Sequence, residues 1–114
     1  MASGAPDLQP SVLVELLGFA GCPNVAPALA MIDRVAGELD VAVAVEWIEI
    51  ADAEGAAGAR FLGSPSIRVN GRDIEPGADQ RTEFSYSCRT YPTPRGRAGV
   101  PAEAWVRAAL RRAS

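Results

Sequence analysis

Two apolar runs joined by one amphipathic segment constrain this chain more than any other feature. SVLVELL, residues 11–17, is almost continuously apolar with Val at positions 12 and 14, the pattern of a strand covered on both faces. VAVAVEWIEI, residues 41–50, is rich in β-branched residues and reads as a second buried strand. Between them Gly18, Gly21 and Pro23 impose a turn. After Asn24, a candidate N-cap, Val25, Leu29, Ile32, Val35, Ala36 and Leu39 recur at helical spacing and predict a helix over 25–39. Pro27 is compatible with it because it falls in the first turn. A strand-helix-strand unit with such short connections places both strands parallel in one sheet.

The remaining elements follow by punctuation. A shorter helix is expected from Ala53 to Leu62, although Gly55 and Gly58 each cost about 1 kcal/mol relative to Ala. Asn70-Gly71 between residues 66–69 and 72–75 is a strong hairpin signal. Residues 76–99 show no period and read as a long loop containing Cys88. A terminal helix is expected with Pro101 as its first residue, Glu103 in the first turn, Trp105, Val106, Ala109 and Leu110 on one face, and Arg111 and Arg112 at its end. The result is an α/β chain of order β-α-β-α-β-β-α, a four-stranded mixed sheet flanked by helices. Residues 1–10 read as a flexible lead-in to a single domain over 11–114.

Composition narrows the chemistry. There is no His among the 114 residues, which removes Ser-His-Asp and Cys-His dyads and every His-containing metal site. Eleven Arg, no Lys and fourteen acids give a net charge of −3, so nothing suits a nucleic-acid partner. No segment approaches the roughly 18 apolar residues of a membrane span and no signal peptide opens the chain, so a soluble, cytoplasmic protein without a membrane partner is expected. Cys22 and Cys88 stand 66 positions apart, too few cysteines for a disulfide framework or a four-thiolate zinc site. No cofactor and no resident metal are called for.

Position singles out Cys22, which lies just before a helix, where free amide N–H groups and the helix dipole favour a thiolate. The alternative is a small apolar residue filling the turn between Gly21 and Pro23. No Cys-x-x-Cys is present, since Val25 holds the place of its second thiol. A redox cycle then needs Cys88, glutathione or a partner thiol to resolve the oxidised form; otherwise Cys88 is an inert loop residue. Glu15, inside the first apolar run, is either a desolvated proton shuttle for Cys22 or an acid reaching solvent at a strand edge. Arg89 beside Cys88, with Arg81, Arg95 and Arg97, either favours a thiolate and grips an anionic substrate or belongs to a solvated loop. Tyr86 and Tyr91 line a pocket or anchor the loop, and Trp105 reads as core.

The element order, the Gly21-Cys22-Pro23-Asn24 turn and the segment Gly63-Ser64-Pro65-Ser66 together resemble the thioredoxin-like superfamily. The resemblance implies a cis Ser64–Pro65 peptide packed against the cysteine turn. More narrowly, GFAGCPN, FLGSPSIRVNGRDIEPGA, SCRTY and GVPAEAW resemble small bacterial thioredoxin-like proteins often labelled alkylmercury lyase. That likeness implies Cys22 and Cys88 as the two thiols that take mercury and cleave a carbon-mercury bond. The three positions after Cys22 are Pro23, Asn24 and Val25, so the lyases' proton-donating carboxylate has no counterpart there. Three readings therefore stand: a thiol oxidoreductase acting on a small thiol or disulfide, an organomercurial lyase, and a non-catalytic module whose proline face binds a partner protein or a second copy.

Overall fold

The computed structural model describes residues 11–114; the expected lead-in over residues 1–10 lies outside them. Strand β1 (Val12–Gly18) leads into helix α1 (Val25–Leu39), and β2 (Val43–Glu49) follows. Then come a short helix α2 (Ala53–Gly58), the hairpin β3 (Ser66–Val69) and β4 (Arg72–Asp73), a ribbon β5 (Tyr91–Thr93) and β6 (Gly96–Ala98), and helix α3 (Glu103–Ala113). The chain is thus α/β, with a four-stranded mixed sheet in the order β2-β1-β3-β4 and three helices. β1 runs parallel to β2, with Val12 opposite Val43, and antiparallel to β3, with Leu16 opposite Ile67.

Strand periodicity explains the layering. Val12, Val14 and Leu16 alternate onto one face, joined by Ile67 and Val69, and meet Ala28, Ile32 and Val35 of α1 and Val106 and Leu110 of α3. Each aliphatic side chain so buried contributes about 1.5–3 kcal/mol. The opposite face is covered at one end only, where Leu17 packs with Ile50, Ala56 and Phe61. Arg34 and Arg107 both meet Glu103, and Arg107 also reaches Glu38, which ties α3 to α1.

Several sequence expectations change in consequence. Because α1 and α3 stack on the same face, β1 is not covered on both sides, and Leu13 stays 41% exposed. The second strand is not buried either: it forms an edge of the sheet, with Trp47 42% exposed. Helix α2 ends at Gly58 rather than Leu62, and Arg60 then adopts a left-handed φ of 55°. Asn70 and Gly71 make the expected tight turn, both with positive φ, but β4 closes after Asp73 because Ile74 turns into the core. Pro101 is buried ahead of α3, which starts at Glu103. The long loop is ordered by a 3-10 turn at Ala78–Gln80 and by the β5-β6 ribbon. Among the described residues no helix is long and apolar enough to cross a membrane.

Candidate functional site

Gly21, at φ 87°, lets the chain reverse after β1 and deliver Cys22 to the start of α1. The Cys22 N–H donates to the Phe19 carbonyl at 3.2 Å, and the Val25 N–H donates to the Cys22 carbonyl at 3.4 Å. Cys22 is 8% exposed and belongs to neither hydrophobic cluster. Pro23 beside it is exposed.

Asn24 does not cap α1 with its side chain, contrary to expectation. Its own backbone is already right-handed (φ −97°, ψ −2°), whereas a capping residue is extended so that its side chain can reach back to the first turn. The Asn24 amide lies instead against Gly99, where a side chain would collide with it. The first turn holds no acid, and Pro27 has no N–H to offer. No carboxylate of the first turn therefore lies at the N-terminal end of α1 that follows Cys22.

The segment 61–67, buried throughout, brings the second half of the site. The Ser64–Pro65 peptide is cis. Ser64 is paired on its backbone with the strand of chain carrying the second thiol: its N–H donates to the Ser87 carbonyl at 2.8 Å, and its carbonyl accepts from the Arg89 N–H at 2.9 Å. Cys88 sits between those two bonds as the parallel bridge partner of Ser64, and it is exposed. The Ser64 side chain points the other way, toward Gly18: a Cβ on Gly18 would stand 2.7 Å from Ser64 Oγ, 3.0 Å from Val25 Cγ2 and 3.1 Å from Trp47. Glycine at the end of β1 is what lets the proline segment and the first residue of α1 approach. Ser64 Oγ is buried and has no hydrogen-bond partner among the described residues.

Arg89 is neither free for an anion nor solvated. Its Nη1 donates to Asp73 Oδ2 at 2.7 Å and to Ser66 Oγ at 2.8 Å, and its Nη2 donates to Glu75 Oε1 at 2.8 Å. The guanidinium also lies 4.4 Å from the Tyr91 ring centroid, and the Tyr91 hydroxyl donates to the Pro65 carbonyl at 2.5 Å. Tyr91 therefore anchors the loop, and Tyr86 instead packs on Phe19 at 5.1 Å between ring centroids.

Glu15 is half-buried in mid-strand, opposite Glu46 on one side and Arg68 on the other. At about 3.3 Å per residue, it stands roughly 10 Å along β1 from Gly18, so the strand does not bring it to the cysteine turn. The structure places Ser64 beside Gly18 at the end of β1, from which the chain turns to Cys22, and pairs Ser64 with Cys88 on its backbone; Arg89 holds that segment and Glu15 stands apart. Sequence reasoning missed Gly18, Asp73 and Glu75 as supports of this region, whereas loop anchoring is one of the two roles it offered for Tyr91. Among the described residues no three of Cys, Asp and Glu lie where they could hold a metal ion. Compared with protein-family models, curated proteins and solved structures, the chain matches none of them.

Proposed function

We propose that this is a thioredoxin-like thiol protein in which Cys22 is the attacking sulfur and Cys88 the resolving one. The observation that carries this reading is the position of Ser64. Its backbone pairs with the segment 87–89 while its side chain, like that of Val25 at the start of α1, lies beside Gly18, so one residue borders the surroundings of both cysteines. The parallel β1-α1-β2 unit, the antiparallel β3 and the cis Ser64–Pro65 bond support the same reading.

The chemistry follows in two exchanges. The Cys22 thiolate attacks one sulfur of a small disulfide, forming a mixed disulfide and expelling the other sulfur as a thiolate. The Cys88 thiolate then attacks Cys22 Sγ, expelling the second thiolate and leaving a Cys22–Cys88 disulfide. Two electrons pass from the protein to the substrate, and an external thiol restores the reduced pair. Cys88, exposed on a loop, has the accessibility such a resolving thiol requires.

A chromogenic aromatic disulfide tests each step. The reduced wild-type chain should release two equivalents of aromatic thiol and end two hydrogens lighter, with no adduct. Cys88→Ser should release one equivalent and retain a mixed disulfide at Cys22, and Cys22→Ser should lose the fast phase. A wild-type product carrying two separate adducts, or a Cys22 that reacts only after unfolding, overturns the proposal.

A further inference from the structure

We propose that a cleft of about 300 Å³ on the sheet face away from α1 and α3 is a binding site for a small organic phosphate monoester. Four of the chain's eleven arginines, Arg60, Arg68, Arg72 and Arg81, line it, and Leu62 and Phe84 form an apolar wall. In a protein of net charge −3 such a concentration of cations is against the average.

The hydrogen bonding leaves three of these four charges available, Arg81 being paired with Glu75 and Glu83 at 3.4 and 3.1 Å. Arg34 and Arg107 outside the cleft likewise meet Glu103, and Arg89 meets Asp73 and Glu75. Arg60, Arg68 and Arg72 form no ion pair among the described residues. Arg68 is held in place by donating through Nη2 to the Ala59 and Arg60 carbonyls, at 2.7 and 3.2 Å. Its other nitrogens meet no acceptor among the described residues. Arg60 lies over the Phe84 ring at 4.8 Å from the centroid, which orients the guanidinium without neutralising it. Of the two acids in the lining, Asp73 has both oxygens bound by Arg89. Asp79 alone cannot offset the cluster.

The kind of anion follows from guanidinium geometry. A carboxylate offers two oxygens and fits a single fork, whereas a phosphate monoester offers three terminal oxygens and up to two charges to several forks at once. The space exceeds what a bare anion fills and falls at the lower limit of small-molecule pockets, about 300 Å³. Leu62 and Phe84 would take the apolar part of the ester. The cleft contains neither Cys22 nor Cys88, so its fate and that of the thiol reading are independent.

The test is a titration of the full chain with phenyl phosphate, followed by amide NMR shifts at constant ionic strength. Saturable shifts are expected at Gly71, Arg72 and Phe84, with inorganic phosphate and benzoate each binding at least about fivefold more weakly. The double variant R60Q/R72Q should weaken phenyl phosphate by at least about tenfold while keeping the wild-type circular dichroism. Should it unfold, R60K/R72K, which keeps the charges but loses the forks, should still weaken binding. Absence of saturation by about 10 mM, benzoate binding as tightly as phenyl phosphate, or indifference to a folded arginine variant would each overturn the proposal.

Discussion

Arg89 can be buried to 1% side-chain exposure only because Asp73 and Glu75 are buried with it. Burial works against its charge, but the hydrogen bond to Asp73 and the added bond to Glu75 outweigh it and hold the guanidinium above its ordinary range. Removing the cation leaves Asp73 without its partner and Glu75 with only Arg81 at 3.4 Å, so Arg89→Met should cost about 3–5 kcal/mol in denaturant unfolding. Arg89→Lys should recover little, since an ammonium cannot serve both acids and Ser66 in the same plane. Tyr91 adds a pH dependence: burial pushes its phenol well up, the Arg89 charge opposes that, and Asp73 and Glu75 add to the rise. The unfolded phenol ionises near pH 10 and the folded one above it, so this contribution is complete below about pH 10 and is lost as pH climbs past that value. Stability should therefore fall as pH rises above about 10 in the wild type and fall less in Tyr91→Phe, as measured by urea melts at each pH. The pairing of Arg89 was not legible in the sequence around Cys88. The acids that meet Arg89 lie 14 and 16 positions away on another element, and local patterning carries no signal for a pairing made by the fold.

At the level of elements, short-range signals served best where one local cause acts alone. The helical period placed α1 at residues 25–39 without error, and Asn70-Gly71 placed the hairpin turn. Signals failed where neighbours decide. An apolar run is the same on paper whether the strand is central or peripheral, so the edge position of β2 became visible only once both long helices were seen on one face. The ordering of the loop after β4 was hidden for a similar reason: its anchors are Ser64, Pro65 and Gly63, on a different segment. Gly63 permits that docking, since its φ is 122° and a Cβ there would stand 2.8 Å from Arg89 Cβ and 3.1 Å from the Arg89 backbone. Gly63→Ala combines a disfavoured backbone with an overlap that no flexible side chain can relieve, and should cost about 2–4 kcal/mol. Its distinguishing sign is local: amide hydrogen exchange should rise first at Ser64 and Arg89, whose backbone bonds close that contact.

For the molecule as a whole, the two cysteines mark opposite ends of a long stretch of chain. Cys22 precedes α1 and Cys88 follows the hairpin, 66 positions later, so a bond between them would enclose β2, β3, β4 and most of both hydrophobic clusters. The unfolded chain would lose the freedom to separate those points, and for a loop of this length the chain-entropy relation gives about 4 kcal/mol of added stability, provided the folded geometry accepts the bond without distortion. This makes the proposed oxidised state testable without any substrate. Guanidinium unfolding of the oxidised wild type should have a higher midpoint than the reduced form, and the difference should vanish in Cys88→Ser. The outcome also separates two kinds of thiol pair. A gain near the full entropic value describes a structural cross-link that resists reduction, whereas a small gain means that closing the bond strains the Ser64–Cys88 bridge, and strain of that kind raises the potential and returns the pair readily to its thiols. A protein that cycles between the two states needs the small gain, and an oxidised form more stable than the reduced one by no more than about 1 kcal/mol would fit that role.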